Sequence, residues 1–121
     1  MAQKIDPDMG AALMDYLDRI AEDYRRSWQG RAEEEHIASM IEDFTVGLTF
    51  EIGKRYAKVI DGRQNSRSVH SFVVLSDEGA GGFRRGDILK AAGWQAPARN
   101  FRRGNVFEED QGANRISWAG F

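Results

Sequence analysis

The apolar residues of this chain change their spacing once, near residue 45. Before that point they recur every three or four positions, as in Leu13, Leu17 and Ile20, which is the period of one face of an α-helix. Over residues 46–52 they alternate instead with polar residues and glycine, which is the period of a half-buried strand. The change predicts an α+β fold in which helices come first and a sheet follows.

The first part of the chain predicts two amphipathic helices. The first helix is expected over residues 7–28, because Asp6 and Pro7 suit a helix start and Gly30 suits a stop. The second follows the glutamates of residues 33–35, which the positive end of a helix favours, and it ends at Gly47. Its apolar stripe consists of Ile37, Met40, Ile41 and Phe44. Two such stripes should pack against each other or against a sheet, whereas an outward-facing stripe would indicate a homodimer.

The remainder predicts an antiparallel sheet of four or five strands. Residues 61–67 and 79–82 are expected to be loops, and residues 92–114 have so little periodicity that they predict a long irregular basic loop. Five segments have the composition of strands: residues 46–52, 55–60, 69–75, 87–91 and 115–119. A chain of 121 residues is expected to form a single domain, with an acidic helical part (1–44) and a β-rich part (45–121).

The composition indicates the cellular compartment and excludes some kinds of catalytic and metal sites. The chain has no cysteine, which removes disulfides, thiolate metal sites and cysteine nucleophiles and suits a reducing cytosol. We find no signal-peptide pattern and no apolar run of about 18 residues, the length that a membrane-spanning helix requires. These features predict a soluble intracellular protein without a membrane partner.

Charge is distributed unevenly along the chain. Residues 1–44 carry five basic and eleven acidic residues, whereas residues 83–107 carry six basic residues and one acid. The basic segment also contains Trp94 and Phe101, aromatic side chains that stack on nucleobases in single-strand recognition. Arginine forks suit phosphate oxygens. The candidate ligand-binding residues are therefore Arg84, Arg85, Lys90, Trp94, Arg99, Phe101, Arg102 and Arg103. The alternative is a solvated loop whose arginines pair with the acidic helices.

The segments VHSFVV, GDILKAAGWQAPARNFRRGNVF and RISWAGF resemble a set of short proteins encoded by tailed bacteriophages. Their pattern is V-H-x-F-V, then G-D-[IV]-x-K-A-A-x-W-x-A-P-A, then R-G-N. Here it falls on Val69, His70, Phe72, Val73, Gly86, Asp87, Ile88, Lys90, Ala91, Ala92, Trp94, Ala96, Pro97, Ala98, Arg103, Gly104 and Asn105. The match covers about the carboxyl-terminal two-thirds of the chain, and Gly93 replaces a more usual serine. The resemblance implies a phage origin and a shared fold, and it supplies no catalytic residues.

Other chemical signals are weak. His70 and Ser71 are neighbours in a predicted strand, so their side chains should point to opposite faces and form no nucleophile–base contact. A hydrolase built around His70 and Asp87 is accordingly a weak alternative. Glu33 and His36 share a helical face, but one such pair without further ligands does not make a metal site. The glycines of residues 79–82 lack a phosphate-binding pattern. We expect no enzyme activity, no metal and no cofactor.

Two functions remain as hypotheses. The first is a phage accessory protein of the host cytoplasm that binds a phosphate-bearing ligand, either a nucleotide or a single-stranded nucleic acid, through the basic, aromatic-bearing loop. Duplex DNA is less suitable because a chain of net charge −2 with an acidic face would be repelled by many phosphates. The second is a protein–protein modulator of a host enzyme that acts through the acidic helical face.

Overall fold

The computed structural model describes residues 7–28, 30–31, 33–62, 67–77, 82–99, 102–109, 111 and 116. Two helices precede a five-stranded antiparallel sheet in the order β1-β2-β3-β4-β5, which confirms the predicted α+β architecture. The elements are α1 (Pro7–Ser27), α2 (Glu35–Gly47), β1 (Thr49–Ile52), β2 (Tyr56–Asp61), β3 (Ser68–Val74), β4 (Asp87–Lys90) and β5 (Gly104–Asn105). Each strand pairs with the next one in the chain.

Two strand predictions differ from the structure. Helix α2 continues through Val46 and Gly47, and the backbone N–H of Leu48 then bonds to the carbonyl of Thr45, so β1 begins later than the alternation suggested. The fifth strand is the short pair Gly104–Asn105, inside the stretch expected to be irregular. The predicted closing strand at residues 115–119 lies outside the described residues, except for Ile116, which packs against the core.

Helix α1 supplies one side of the core, as its apolar stripe predicted. The buried residues of the helix are Met9, Ala12, Leu13, Tyr16, Leu17, Ile20 and Tyr24. All of them except Tyr24 belong to one core cluster with a face of the sheet, which contributes Val59, Val73 and Ile88. Each fully buried aliphatic side chain stabilises the fold by about 1.5–3 kcal/mol, so the contact between α1 and the sheet is the main source of stability.

Helix α2 buries fewer side chains than α1 does. Ile37 is its only buried residue among those that the structure describes, and Phe44 stacks on Tyr24 of α1 with ring centroids 4.2 Å apart. Met40 of the predicted stripe is 39% exposed. The stripe therefore packs against α1 as expected, but only along part of its width.

The opposite face of the sheet carries a second apolar cluster. Phe72, Val74 and Leu89 are buried there. The chain after β4 returns towards this sheet edge, since Ala91 pairs with Pro97 and the N–H of Ala98 bonds to the carbonyl of Lys90 at 2.7 Å. This return loop places aromatic and basic side chains on the face that α1 does not cover.

Candidate ligand-binding site on the open sheet face

Strand β2 contributes the centre of the candidate site. Tyr56 and Lys58 are two residues apart, so they point to the same face. Lys58 is directly opposite Phe72 of β3, and Phe72 belongs to the apolar cluster away from α1. The rings of Tyr56 and Phe72 meet edge to face at 5.8 Å and 75°. Lys58 is thus flanked by the aromatic rings of Tyr56 and Phe72 on this face of the sheet.

The return loop after β4 brings Trp94 onto this face. The N–H groups of Ala92 and Gly93 both bond to the carbonyl of Ala96, which closes a tight turn around Trp94. The indole is 43% exposed, and Nζ of Lys58 lies 4.9 Å from its ring centroid. Such a cation–π contact contributes about 0.5–1 kcal/mol at an exposed site, and it orients both side chains.

Arg99 forms a second cation–ring pair beside the first. Its guanidinium carbon lies 5.9 Å from the centroid of the Tyr56 ring. The buried Tyr56 hydroxyl has no hydrogen-bond partner in the part of the chain that the structure describes. Among the same residues, Lys58 and Arg99 form no ion pair with a carboxylate. We call Tyr56, Lys58, Phe72, Trp94 and Arg99 the cation–aromatic surface.

A cleft of about 480 Å³ adjoins this surface. Its lining residues are Glu51, Ile52, Gly53, Lys54, Arg55, Tyr56, Lys58, Phe72 and Gln95. The carboxylate of Glu51 is neutralised by Arg67, whose Nη2 lies 3.3 Å from its Oε2. Ligand sites commonly have volumes of about 300–1,000 Å³ with a largely apolar lining and a few polar groups. The cleft falls within this range of volumes, but its lining is more polar and includes the basic residues Lys54, Arg55 and Lys58.

The predicted arginine group divides in the structure, and Arg102 belongs to a different neighbourhood. Its guanidinium bonds to both carboxylate oxygens of Glu108, at 3.1 and 3.3 Å, and lies 3.5 Å from Oδ1 of Asp87. The hydrogen bonds to Glu108 are the main cause of its raised pKa. Arg102 is thus already paired with carboxylates of its own molecule.

The other predicted residues are also spread over several places. Arg84 shares a polar cavity of about 470 Å³ with Arg102, while the Arg85 guanidinium carbon lies 4.7 Å from the Phe107 ring centroid. Arg103 is half-buried next to β5. Lys90 is exposed and pairs with Ser71, whose side chain contacts α1. The predicted basic residues therefore do not surround one common site, and among them Arg84 and Arg102 are the pair that line the same cavity. Phe101 lies outside the described residues.

The G-D and R-G-N parts of the phage-like pattern meet at the β4–β5 corner. The carboxylate of Asp87 is buried and accepts bonds from the Arg84 N–H at 2.8 Å and from Nδ2 of Asn105 at 3.0 Å. Gly86 has φ of +90°, and a Cβ there would lie 2.6 Å from Oδ1 of Asn105 and 2.5 Å from the Phe107 ring. These residues fit one another closely, so their arrangement is accounted for by the fold.

Comparison with known proteins identifies the chain at family level. Its residues 2–121 match a family of unknown function (DUF7717). The chain belongs to this family. No curated protein and no solved structure matches it. This member of DUF7717 has no helix, among the residues described, that is long and apolar enough to cross a membrane. Nor do the described side chains include a group of three or more His, Cys, Asp or Glu placed to hold a metal ion.

One sequence expectation for this DUF7717 member is wrong. A register shift between Val59 and Ile60 pairs them with Ser71 and Val69 and leaves His70 as an extra residue in β3. The resulting bulge brings Nδ1 of His70 within 2.9 Å of Oγ of Ser71, so the two side chains do meet. Because Ser71 has no exposed surface, this contact is internal to the fold and presents no nucleophile to a substrate.

The serine also links the sheet to α1. Its Oγ lies 2.7 Å from the hydroxyl of Tyr16, which gives a buried hydrogen-bonded row of Tyr16, Ser71 and His70. Burial raises the pKa of the Tyr16 hydroxyl well above its usual value, and the bond to Ser71 opposes this only in part. The row satisfies polar groups inside the core.

Sequence reasoning missed the part of the site that β2 supplies. The sequence predicts a strand over residues 55–60, but Arg55, Tyr56 and Lys58 are not among its candidate ligand-binding residues. A usable signal was present, because a basic hairpin followed by an aromatic and a basic residue at alternate positions gives one strand face a positive, aromatic character. Their proximity to Trp94 and Arg99 depends on the return loop, which has no periodicity to reveal it.

Proposed function

We propose that this chain is a non-enzymatic phage accessory protein that binds a phosphate-bearing ligand, a nucleotide or a single-stranded nucleic acid. The binding site is the cation–aromatic surface together with the adjoining cleft. One observation carries the proposal: Lys58 and Arg99 each lie over an aromatic ring beside a cleft, and neither is paired with a carboxylate among the described residues.

The chemistry of the surface fits the two parts of a nucleotide. Ammonium and guanidinium groups donate charge-assisted hydrogen bonds to phosphate oxygens, and such bonds contribute about 1.5–3 kcal/mol each. An exposed indole offers a face on which a base stacks, with a contribution of about 1–3 kcal/mol per base. Trp94 and Lys58 are already in contact, so one ligand would meet both groups without a large rearrangement.

The charge distribution disfavours duplex DNA as the ligand. Specific duplex binding needs many phosphate contacts, and the exposed side of α1 carries Asp15, Asp18 and Glu22. A small ligand or a single strand contacts the basic side alone and avoids this repulsion. The resemblance of residues 69–121 to short phage proteins supports a role in the cytoplasm of an infected host, where nucleotides and single strands are abundant.

The test is a titration of fluorescent deoxythymidine oligonucleotides and of ATP at low and moderate salt. We expect binding at low salt that weakens with added salt. Lys58→Met and Arg99→Met should each weaken it about 10-fold, as loss of one charged hydrogen bond implies. Arg25→Met, on the exposed end of α1, is the charge-matched control and should change little.

A further variant separates the two basic neighbourhoods. Arg84 is exposed and lies in the cavity with Arg102, and within the described part of the chain it bonds to Asp87 through its backbone N–H. Arg84→Met should therefore leave binding unchanged if the sheet face is the site. Loss of binding in Arg84→Met with retention in Lys58→Met would place the site at the β4–β5 corner and refute the proposal, as would absence of any binding at low salt.

A specific groove favours the second candidate function, modulation of a host enzyme through the acidic helical face. A groove of about 590 Å³ runs between α1 and residues 106–109 and 111, and its lining includes Asp15, Asp18, Glu22 and Glu109. Deleting residues 1–44 would remove the buried side of the core along with this face, so charge-neutralising variants are the better probe. Asp15→Asn with Asp18→Asn should abolish capture of a host partner if this function holds, while an unchanged capture profile would refute it.

A further inference from the structure

The arrangement of basic residues along β2 distinguishes between the two ligand classes of the proposed function. A nucleoside triphosphate concentrates its charge at one point, whereas a single strand presents one phosphate after another. A site for the first needs cations that converge, and a site for the second needs cations in a row. The question is therefore which of these patterns the open sheet face has.

The cations of this face follow the length of one strand. Lys54 and Arg55 immediately precede β2, Lys58 lies in its middle, and Arg67 immediately precedes Ser68, the residue that pairs with the last residue of β2. A strand of six residues is about 20 Å long. The backbone positions of these residues are thus distributed over a distance that a single phosphate group does not span, although the Arg67 guanidinium itself reaches Glu51, the residue of β1 that pairs with Lys58.

The aromatic side chains are placed beside the same row. The Tyr56 ring lies under Arg99, and the Trp94 ring lies under Lys58. Residues two apart on a strand are separated by about 6.6 Å, so two ring–cation pairs stand one after the other along β2. Sheet faces that present aromatic residues in this manner stack two or three successive bases of a single strand.

We propose that the natural ligand of this face is a single-stranded nucleic acid that lies along β2, and that Trp94 and Tyr56 are its stacking positions. This inference rests on the proposed function. Lys58 contacts the central phosphate, and Arg55 and Arg67 contact phosphates on either side of it. Glu51 is a carboxylate on this face that opposes the strand, and its charge is offset by its bond to Arg67.

The experiment is a length series of deoxythymidine oligonucleotides of one, two, four, eight and twelve nucleotides, with dTTP as the competing small ligand. We expect the affinity to rise by at least 10-fold between the mononucleotide and the tetranucleotide and to level off beyond that. The tetranucleotide should bind more tightly than dTTP at the same salt concentration. Unlabelled ligands measured by calorimetry avoid a contribution from the dye.

Variants at the two ends of the row provide the second readout. Arg55→Met and Arg67→Met should each weaken octanucleotide binding several-fold and leave mononucleotide binding nearly unchanged, whereas Lys58→Met should weaken both. Glu51→Gln should strengthen octanucleotide binding. Circular dichroism and urea unfolding of each variant establish that it is folded before its affinity is interpreted.

The outcomes separate this inference from the proposed function. Equal affinity for dTTP and the octanucleotide, with no dependence on length, would overturn the single-strand inference and leave nucleotide binding standing. Absence of binding to every ligand at low salt would overturn both. Length dependence that is insensitive to Arg55→Met and Arg67→Met would also overturn the inference, because the strand would then follow another path.

Discussion

Asp87 shows how much a single side chain contributes to the β4–β5 corner. Asp87 as a whole is only 3% exposed. Its carboxylate contacts the backbone N–H of Arg84, the Asn105 amide and the Arg102 guanidinium. A buried carboxylate is tolerated only when such partners replace its water. Arg102 therefore stabilises the buried Asp87 carboxylate, and its guanidinium already has carboxylate partners although its side chain is exposed.

We predict that Asp87→Ala destabilises the protein by about 2–4 kcal/mol, because the buried donors and the Arg102 charge lose their acceptor. Urea unfolding measures the change. Asp77→Ala is the matched control, since Asp77 also accepts a backbone N–H, that of Arg85, but is exposed. The control should lose less than about 1 kcal/mol, and equal losses in the two variants would show that burial of Asp87 does not matter.

Tyr16 gives a prediction about alkaline pH. Burial raises the pKa of its hydroxyl above the ordinary value of 10.0, so above that pH the unfolded chain releases a proton that the folded chain keeps. The unfolded state then binds fewer protons, and stability must fall as the pH rises, by about 1.4 kcal/mol per pH unit. Below pH 10 this contribution is fully present.

Tyr16→Phe should therefore reduce stability at pH 8, because the bond to Ser71 is lost, by about 1 kcal/mol. When the pH is raised from 10 to 11, the free energy of unfolding should fall less in Tyr16→Phe than in the unmodified protein. The difference between the two falls should be up to about 1 kcal/mol. Denaturant titrations of both proteins at these pH values measure the difference. Parallel pH profiles for the two proteins would contradict the assignment to Tyr16.

At the scale of elements, the contact between the end of α2 and the end of β2 fixes how the helices join the sheet. A Cβ added at Gly47 would lie 2.6 Å from the carbonyl oxygen of Gly62, so the helix approaches the strand backbone directly. Helix α2 buries few of its own side chains, and this close approach supplements the Phe44–Tyr24 stack. The stack joins two apolar stripes that the sequence reveals by their period, whereas the approach of Gly47 to Gly62 has no such signal.

Gly47→Ala tests this contact against helix propensity. Alanine favours a helix over glycine by about 1 kcal/mol, so the substitution would stabilise a solvent-exposed helix end. We expect the reverse, a loss of about 1–3 kcal/mol, because the obstacle is backbone and cannot rotate away. Thermal unfolding measures the effect, with Gly93→Ala as control, since nothing lies within 4 Å of a Cβ at Gly93. Stabilisation by Gly47→Ala would contradict the close approach.

At the scale of the whole molecule, the charge is polarised across the sheet. The α1 side presents Asp15, Asp18 and Glu22, and the opposite side presents Lys58 and Arg99. A net charge of −2 conceals this arrangement. An anion that approaches the basic side is attracted by Lys58 and Arg99, and this attraction weakens when salt screens it.

The salt dependence of oligonucleotide binding follows from the number of phosphates contacted. With Lys58 and the two end cations engaged, about three phosphates are neutralised, which predicts a slope of log K against log salt near −2 for a single strand. Lys58→Met should reduce the magnitude of this slope by about 0.7. Calorimetric titrations at four salt concentrations measure it. A slope near zero would show that phosphates do not contribute to affinity.

The sequence by itself determined the order of the elements, the α+β class and the buried stripe of α1, because the spacing of apolar residues is a local property. Only the tertiary structure decided which cations are paired with carboxylates among the described residues, since that depends on carboxylates brought near from other parts of the chain. The Arg102 guanidinium forms ion pairs with Asp87 and Glu108. The return loop instead places Arg99 over the Tyr56 ring and Trp94 against Lys58. The bulge at His70 likewise arises from pairing between strands, and one strand's alternation carries no information about it.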